Sequence, residues 1–432
     1  MSGPESPDDI RRTRLAALRP LRSRNFSLLW IGGLVSVVGS WMQTVAVGAL
    51  VISHTGSAAW AVVVAAGAFL PIGVLSPVGG ALADRIPRRA ALVTGNLLAG
   101  VVAGVIAILV ASGHDSPQIL TGLVIIQGGV SAVIGPFLQA ILPDLVPRSE
   151  FLAAVSLNSA QFNLGRVIGP ALAGVTIVAF GYPLAFVANG VSFLAVVVAL
   201  AFVHLSPPPG RDDRSSIRAS LRLGFDAARR EPSCRAAIWA IAVIGLLASP
   251  FIALVPAMAR HVTHANPRGI ASATGLLTTA QGVGAVAGAL AIAPLALRIG
   301  RDRVFEGSLA LLPFALVTYG VSSSLWWAVC SLFIVGLVYI GVLSGLSTVV
   351  QLRAPTEYRG RVLSFYLVAL GVAYPVGALV QGPLVDRFGL AWTTGGAAGL
   401  LAVTMLGVRL LRPNVRRALV SAGLAEIPVD GS

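Results

Sequence analysis

Charged residues and cysteines are scarce in this sequence of 432 residues. Charged side chains make up 11% of the chain and hydrophobic ones 56%, and the mean hydropathy is +0.85. A soluble protein of this length needs far more polar surface, so the composition predicts a membrane protein with many spans. Cys234 and Cys330 are the only cysteines, which excludes a disulfide framework. The histidines lie at span ends or in loops without metal-ligand spacing, and we expect no metal and no cofactor.

Lysine is absent, and all 31 basic residues are arginines that give a net charge of +14. The arginines lie in short connections between apolar runs, which is the pattern that sets membrane orientation. With a cytoplasmic N-terminus, 27 of the 31 fall on the cytoplasmic side and 3 on the other, while Arg166 falls within a span. The sequence therefore predicts a multi-pass protein of the cytoplasmic membrane with both termini inside, and no nucleic-acid partner.

Twelve apolar runs follow one another, each near the roughly 20 residues that a spanning helix needs. They predict an all-α membrane protein with two six-helix bundles. The predicted spans are 28–52, 58–83, 90–111, 117–142, 152–179, 182–203, 236–259, 270–297, 304–321, 326–350, 361–385 and 390–411.

Polar segments divide the chain into five predicted parts. These are a cytoplasmic N-terminal segment (1–27), an N-terminal six-helix bundle (28–203), a cytoplasmic linker (204–235), a C-terminal six-helix bundle (236–411) and a cytoplasmic tail (412–432). In the linker, Ile217, Leu221 and Phe225 alternate with arginines, which predicts a short amphipathic helix on the membrane surface.

The second half of the chain repeats the first at an offset of 208 residues. Gly80-Ala81-Leu82-Ala83 returns as Gly288-Ala289-Leu290-Ala291. Five further residues, Pro147, Ser156, Gly169, Gly174 and Gly181, return as Pro355, Ser364, Gly377, Gly382 and Gly389. Glycine and proline determine where a helix bends and where two helices can pack closely. Their constant offset therefore predicts that the two halves of the chain share one backbone structure. Parallel duplication of membrane spans is typical of transporters.

The connection after the second span reads Gly80-Ala81-Leu82-Ala83-Asp84-Arg85-Ile86-Pro87-Arg88-Arg89. It resembles the signature between helices two and three of the major facilitator superfamily, although Pro87 stands where that family usually has glycine. The resemblance implies the superfamily fold and a cytoplasmic brace in the outward-facing state, formed by Gly80, Asp84, Arg85, Arg88 and Arg89. An acidic residue at a helix end can pair with arginines and with a helix N-terminus. The alternative is an ordinary arginine-rich loop.

The fifth span carries Gly165, Gly169, Pro170 and Gly174 at a spacing that lets two helices touch backbones and bends the helix. This run resembles the span-five motif of drug antiporters in the superfamily, with Ala173 where that motif usually has glycine. Ordinary packing of small residues is the alternative interpretation.

The sequence pattern of the signature occurs again at the end of the eleventh span, on the predicted outer side. It reads Gly382-Pro383-Leu384-Val385-Asp386-Arg387-Phe388-Gly389. Nested inverted repeats lead us to expect an outer latch, in which Asp386 and Arg387 brace the inward-facing state. A capped external turn is the alternative.

Polar groups inside spans are candidate substrate or coupling contacts. Arg166 is the one charged residue well inside a predicted span, and such a residue should face protein or water. It is a candidate contact for the substrate or for coupling. The alternative is a structural role, in which it binds backbone carbonyls. The other candidates are Gln43, Gln127, Gln161 and Asn163. No Asp or Glu lies mid-span, so the coupling ion stays open, and Asp84 and Asp386 are the remaining candidates to carry it.

Three further segments resemble one branch of the superfamily, the enterobactin-exporter-like transmembrane secretion effectors. They are 21–30, 39–46 and Leu142-Pro143-Asp144-Leu145-Val146-Pro147. The resemblance implies export of small amphiphiles, such as drugs, antibiotics or siderophores, by alternating access. We expect proton antiport by a monomer in the lipid bilayer. The alternatives are an uptake carrier on the same fold and a membrane scaffold or enzyme. For an enzyme we find no clustered nucleophile and base and no metal set.

Overall fold

The computed structural model describes residues 18–83, 85–203, 225–264, 266–411 and 413–420. These parts of the chain consist of helices joined by short connections, without a β-strand. The α-helices are α1 Arg24–Thr55, α2 Ala58–Ala83, α3 Arg88–Ala111, α4 Pro117–Leu145, α5 Phe151–Phe180, α6 Tyr182–Phe202, α7 Pro232–Leu247, α8 Val255–Val262, α9 Pro267–Ile299, α10 Arg301–Gly320, α11 Leu325–Arg353, α12 Arg359–Phe388, α13 Leu390–Leu411 and α14 Pro413–Val420.

Ten of these helices are long and apolar enough to cross a membrane. The seventh predicted span is instead divided into α7, the 3₁₀ turn Ser249–Ile252 and α8. Pro250 and Pro256 stand at the starts of the turn and of α8. Because proline has no N–H to donate, it ends the preceding helix and begins the next. The ninth predicted span corresponds to α10, whose first turn carries Arg301, Asp302 and Arg303.

Most of the predicted linker, including Ile217 and Leu221 of the predicted amphipathic helix, lies outside the described residues. Only its end is described, where 225–230 are helical and lead to α7.

Local signals in the sequence set several helix boundaries. Side chains accept hydrogen bonds from backbone N–H groups at helix starts, as Ser116 does for α4 and Asn266 does for α9. Gly181 separates α5 from α6 with a φ of 86°, and its repeat mate Gly389 separates α12 from α13 with a φ of 84°. This left-handed backbone favours glycine, and the 208-residue repeat therefore reproduces the same turn.

The chain divides into two compact units. The first unit comprises Met1–Val47 and Val74–Asp212, and the second comprises Gly48–Gly73 and Asp213–Ser432. In the first, the fully buried side chains of Leu92, Phe137, Ile141 and Leu200 join α3, α4 and α6 in one apolar cluster. In the second, α9 and α11 pack so closely that a Cβ on Gly284 would overlap the Phe333 carbonyl oxygen. Close backbone contact at glycine is the usual packing of membrane helices.

Each unit contains the same close contact between two helices. A Cβ on Gly169 of α5 would lie 2.7 Å from the Val38 carbonyl oxygen of α1. A Cβ on Gly377 of α12 would overlap the carbonyl oxygen of Leu246 on α7. Both pairs differ by 208 residues, so the repeat extends from sequence to packing, and it confirms the predicted all-α fold of duplicated helices.

Candidate functional site

A cavity of about 340 Å³ lies within the first unit, between α1, α3, α4, α5 and α6. Its wall, as far as the structure describes it, combines aromatic and aliphatic side chains with neutral polar ones and contains no charged residue. The polar residues of the wall are Ser36, Ser40, Asn96, Ser131, Gln139, Asn158 and Gln161. The apolar ones include Phe26, Trp30, Leu138, Phe162 and Phe193. Such a surface suits a ligand that is part apolar and part hydrogen-bonding.

Hydrogen bonds between α1 and α5 fix one side of this cavity. The Trp30 Nε1 donates to the Leu157 carbonyl at 3.0 Å, and the Gln161 Nε2 donates to the Trp30 carbonyl at 2.5 Å. Gly33 leaves the space for this link, since a Cβ there would lie 2.8 Å from the Gln161 Nε2. The amide of Gln161, a predicted contact residue, thus lines the cavity while it joins two helices.

Two other amides on the wall are available to a ligand. Gln139 on α4 is exposed and Asn158 on α5 is half-buried. Neither makes a hydrogen bond with another residue in the described ranges, whereas the Asn96 Nδ2 donates to the Leu92 carbonyl on its own helix. Gln139 and Asn158 are not among the candidate contacts predicted from the sequence, and only the shape of the cavity distinguishes them.

Gln43 and Gln127, also predicted as contacts, are buried away from the cavity wall and bond to each other. The Gln43 Nε2 donates to the Gln127 Oε1 at 3.0 Å, and the Asn189 Nδ2 donates to the Gln43 Oε1 at 2.7 Å. The three amides join α1, α4 and α6 about one helical turn beyond Ser40, a residue of the cavity wall. They form an interhelical link of the kind that stabilises membrane bundles.

We expect Gln127→Leu to lower the free energy of unfolding by about 1–2 kcal/mol, because the buried Gln43 amide loses its acceptor. Unfolding of the detergent-solubilised protein by dodecyl sulfate measures this change. The control is Gln351→Leu, since the exposed Gln351 donates to Ser347 on its own helix; its effect should stay within about 0.5 kcal/mol. Equal losses in the two variants would contradict the structural role of the link.

Arg166 on α5 is half-buried and lies beside an aromatic pair. Its Cζ is 5.9 Å from the centroid of the Trp41 ring, and Trp41 meets Phe162 edge to face at 5.9 Å. A cation over an aromatic face is attracted to it, more strongly where water is scarce. Asn163 donates to the Ser159 carbonyl on its own helix at 2.8 Å. The structure thus brings Arg166 to Trp41, a partner that the sequence analysis did not name for it.

Two glycines of the predicted span-five motif, Gly165 and Gly169, lie at the contact of α5 with α1. Gly165, Gly169, Pro170 and Gly174 are all buried. A Cβ at Gly169 would lie 2.5 Å from the Trp41 Cβ, and one at Gly165 would overlap Val37. The motif therefore sets the distance between two helices that line the cavity.

The predicted cytoplasmic brace is described in part, because Asp84 lies outside the described residues. Arg88 donates to the Asp144 Oδ2 and to the Ala140 carbonyl, each at 3.0 Å. Arg89 donates to the Ala201 carbonyl at 3.0 Å. Arg85 is exposed, and a Cβ at Gly80 would meet no atom of the described chain within 4 Å. Arg88 and Arg89 thus tie α3 to α4 and α6 within the first unit.

Of the two residues of the predicted outer latch, only Asp386 forms hydrogen bonds with the described chain. Asp386, near the end of α12, accepts hydrogen bonds from the Ser57 hydroxyl at 2.6 Å and from the N–H groups of Ala58 and Ala59 at 2.6 and 3.1 Å. It thereby caps the N-terminus of α2 within the second unit, where a carboxylate is favoured by the helix dipole. Arg387 makes no hydrogen bond or ion pair with any residue that the structure describes, and its Cζ lies 5.3 Å from the Phe388 ring centroid.

A second charge lies at the same connection. A Cβ on Gly56, which has a φ of 66°, would lie 3.1 Å from an Nη of Arg260 on α8. Arg260 therefore lies beside the C-terminal end of α1, which carries partial negative charge, while Asp386 binds the positive start of α2. Arg260 is one of the three arginines that the sequence places on the outer side. The α1–α2 connection therefore lies between two charges, each of the sign that suits the neighbouring helix end.

Repeated membrane-spanning helices with a cavity between them are the architecture of a membrane transporter. Solved structures of that fold cover most of the chain. They include the nucleoside transporter NupG, 13% identical over 92% of this chain and 98% of that one with a TM-score of 0.68. The POT family transporter PepTSo is 13% identical over 91% of this chain and 98% of that one, with a TM-score of 0.70. These likenesses show the fold alone, and they confirm the predicted architecture.

The chain belongs to the family described as transmembrane secretion effector, which it matches over residues 15–428. It is 26% identical to the multidrug efflux pump Tap of Mycolicibacterium fortuitum over 88% of this chain and 93% of that protein. It is 24% identical to the staphyloferrin A transporter of Staphylococcus aureus over 82% of this chain and 88% of that protein. The protein is a multi-pass membrane transporter and not an enzyme, and the predicted family is confirmed.

Proposed function

We propose that this transporter exports small amphiphilic molecules, of the drug, antibiotic or siderophore kind, across the cytoplasmic membrane by alternating access. The observation that carries the proposal is the uncharged cavity of the first unit, with aromatic rings beside the amides of Gln139 and Asn158. Rings and aliphatic groups bind apolar parts of a ligand with little directional demand, while a few amides orient its polar groups. The family and the relatives named for efflux support this direction of transport.

The proposed orientation places both termini in the cytoplasm, because 27 of 31 arginines then lie inside. In this orientation, the signature residues Gly80, Asp84, Arg85, Arg88 and Arg89 belong to the cytoplasmic end. Asp386 then lies at the outer end. Its bonds to the start of α2 stabilise the conformation that contains them, and their release accompanies the change to the other conformation. The transporter acts as a monomer in this proposal.

Asn158→Ala is expected to reduce export of polar amphiphiles about fivefold to tenfold, because a hydrogen bond inside a shielded cavity contributes about 1–1.5 kcal/mol. The measurement is the initial rate of ethidium or tetracycline efflux from preloaded cells at matched expression. Ser159→Ala is the control, since exposed Ser159 donates to the Val155 carbonyl on its own helix and does not line the cavity. Equal rates for both variants and the unmodified protein would remove Asn158 from the substrate site.

Direction and coupling are tested in the same cells. Export by proton antiport predicts lower probe accumulation in expressing cells, and loss of that difference when an uncoupler dissipates the proton gradient. Higher accumulation would instead support an uptake carrier. Export that persists with the uncoupler would exclude the proton as coupling ion. Asp84 and Asp386 are the proposed proton carriers, since they are the acidic residues of the two signature-like segments.

A further inference from the structure

A groove of about 530 Å³ runs along α12 and α13 in the second unit and is open at the surface of these membrane-spanning helices. Large apolar side chains on its wall are strongly exposed, with Phe388 at 54%, Trp392 at 81% and Leu400 at 55%. On helices that cross a membrane, such side chains face hydrocarbon rather than water. The volume falls within the roughly 300–1,000 Å³ of small-molecule sites.

The polar side chains on the wall already have partners. The Gln381 Nε2 donates to the carbonyls of Leu246 and Leu247, each at 3.1 Å. The Thr393 hydroxyl donates to the Gly389 carbonyl at 2.9 Å. The described wall of the groove therefore offers a ligand mainly apolar surface. A hydrocarbon chain fits such a surface, because it loses no hydrogen bond on binding.

Positive charge lies at one end of this groove. Exposed Arg387 is adjacent in sequence to Phe388, a residue of the wall, and its Cζ lies over the Phe388 ring. Directly after the Gly389 turn, α13 begins at Leu390, and the first N–H groups of a helix have no acceptor within it. The carboxylate of neighbouring Asp386 is occupied by the donors at the start of α2. An anionic group is attracted both by the guanidinium and by the helix N-terminus.

We propose that the groove binds one acyl chain of an anionic phospholipid, with the phosphate of the lipid at Arg387 and the start of α13. Exposed Trp392, in the first turn of α13, stands where tryptophan favours the boundary between headgroups and hydrocarbon. The lipid stabilises the end of α12 that also carries Asp386. This inference concerns a site other than the proposed substrate cavity.

Two glycines of α13 provide a matched pair of variants. Gly396 lines the groove, and a Cβ built there would meet no atom of the described chain within 4 Å, so a leucine would fill the groove without displacing the protein. Gly399 has the same open space but is not a residue of the groove. Both changes replace a helical glycine and raise helix propensity equally.

The test uses full-length protein in nanodiscs of phosphatidylethanolamine that contain a phosphatidylglycerol with a photoreactive diazirine in its acyl chain. Labelled residues are mapped by mass spectrometry. We expect labelling of the unmodified protein along the groove, and about a tenfold loss in Gly396→Leu from overfilling. Gly399→Leu should label like the unmodified protein. If Gly396→Leu also labels like the unmodified protein, the contact is with bulk bilayer lipid only and the proposal is wrong.

The headgroup is tested separately with Arg387→Gln. One arginine near a membrane surface contributes about 1 kcal/mol toward an anionic lipid, which corresponds to roughly fivefold. We therefore expect the preference for phosphatidylglycerol over a phosphatidylethanolamine with the same diazirine chain to fall about fivefold, while the labelled residues stay the same. An unchanged preference would overturn the assignment of the phosphate to Arg387.

Discussion

Asp386→Ala is expected to reduce export about tenfold or more. Three donors at the start of α2 lose a shared acceptor, namely the Ser57 hydroxyl and the N–H groups of Ala58 and Ala59. Hydrogen bonds to a charged group contribute about 1.5–3 kcal/mol each to stability, and an N-cap contributes about 0.5–2 kcal/mol. A loss near 2 kcal/mol changes the ratio of two conformations by roughly 30-fold. A transporter that must visit both conformations is slowed by such a bias.

Hydrogen exchange tests the contact apart from transport. The N–H groups of Ala58 and Ala59 should exchange about tenfold faster or more in Asp386→Ala, because their acceptor is gone. Asp386→Asn keeps one acceptor oxygen and should give intermediate values. Glu357→Ala removes another exposed carboxylate of the second unit and should change neither measurement. Faster exchange with unchanged export would leave Asp386 as a helix cap and would refute its role as an outer latch.

Gly169→Ala is expected to destabilise the protein by about 1–3 kcal/mol and to remove most export. The added methyl group would lie 2.5 Å from the Trp41 Cβ and 2.7 Å from the Val38 carbonyl oxygen. Backbone atoms cannot yield as a flexible side chain does, so α1 and α5 must separate. Both helices line the cavity and are joined through Trp30 and Gln161, so their separation also changes the proposed binding surface.

The control for Gly169→Ala is Gly104→Ala on α3, where the added methyl group would meet no described atom within 4 Å. This variant should be as stable as the original or slightly more stable, since alanine favours a helix by about 1 kcal/mol over glycine. Thermal unfolding in detergent and efflux rates at matched expression check both variants. If the two behave alike, close packing of α5 on α1 does not limit this protein.

The sequence was sufficient to predict the repeated membrane helices and the family. Hydropathy along the chain, with glycines and prolines at fixed spacing, acts through local backbone geometry, and the matching turns at Gly181 and Gly389 follow from it. The break in the seventh span shows the limit of hydropathy, because Pro250 and Pro256 divide an apolar run that its composition predicts as one helix. The location of the termini stays a prediction from the arginine distribution.

Roles of individual polar residues depended on the tertiary structure. The sequence predicted both Gln43 and Gln161 as candidate substrate or coupling contacts. In the structure, Gln43 is buried and hydrogen-bonded to other amides, whereas Gln161 lines the cavity. The two predicted latch residues also differ, since Asp386 caps a helix that begins 328 residues earlier and Arg387 does not. Hydropathy and helix signals depend on a residue and its neighbours, so the sequence determined the spans, the turns and the duplication. Hydrogen-bond partners and cavity walls come from residues far apart in the chain, and only the packing of the helices decided which of them meet.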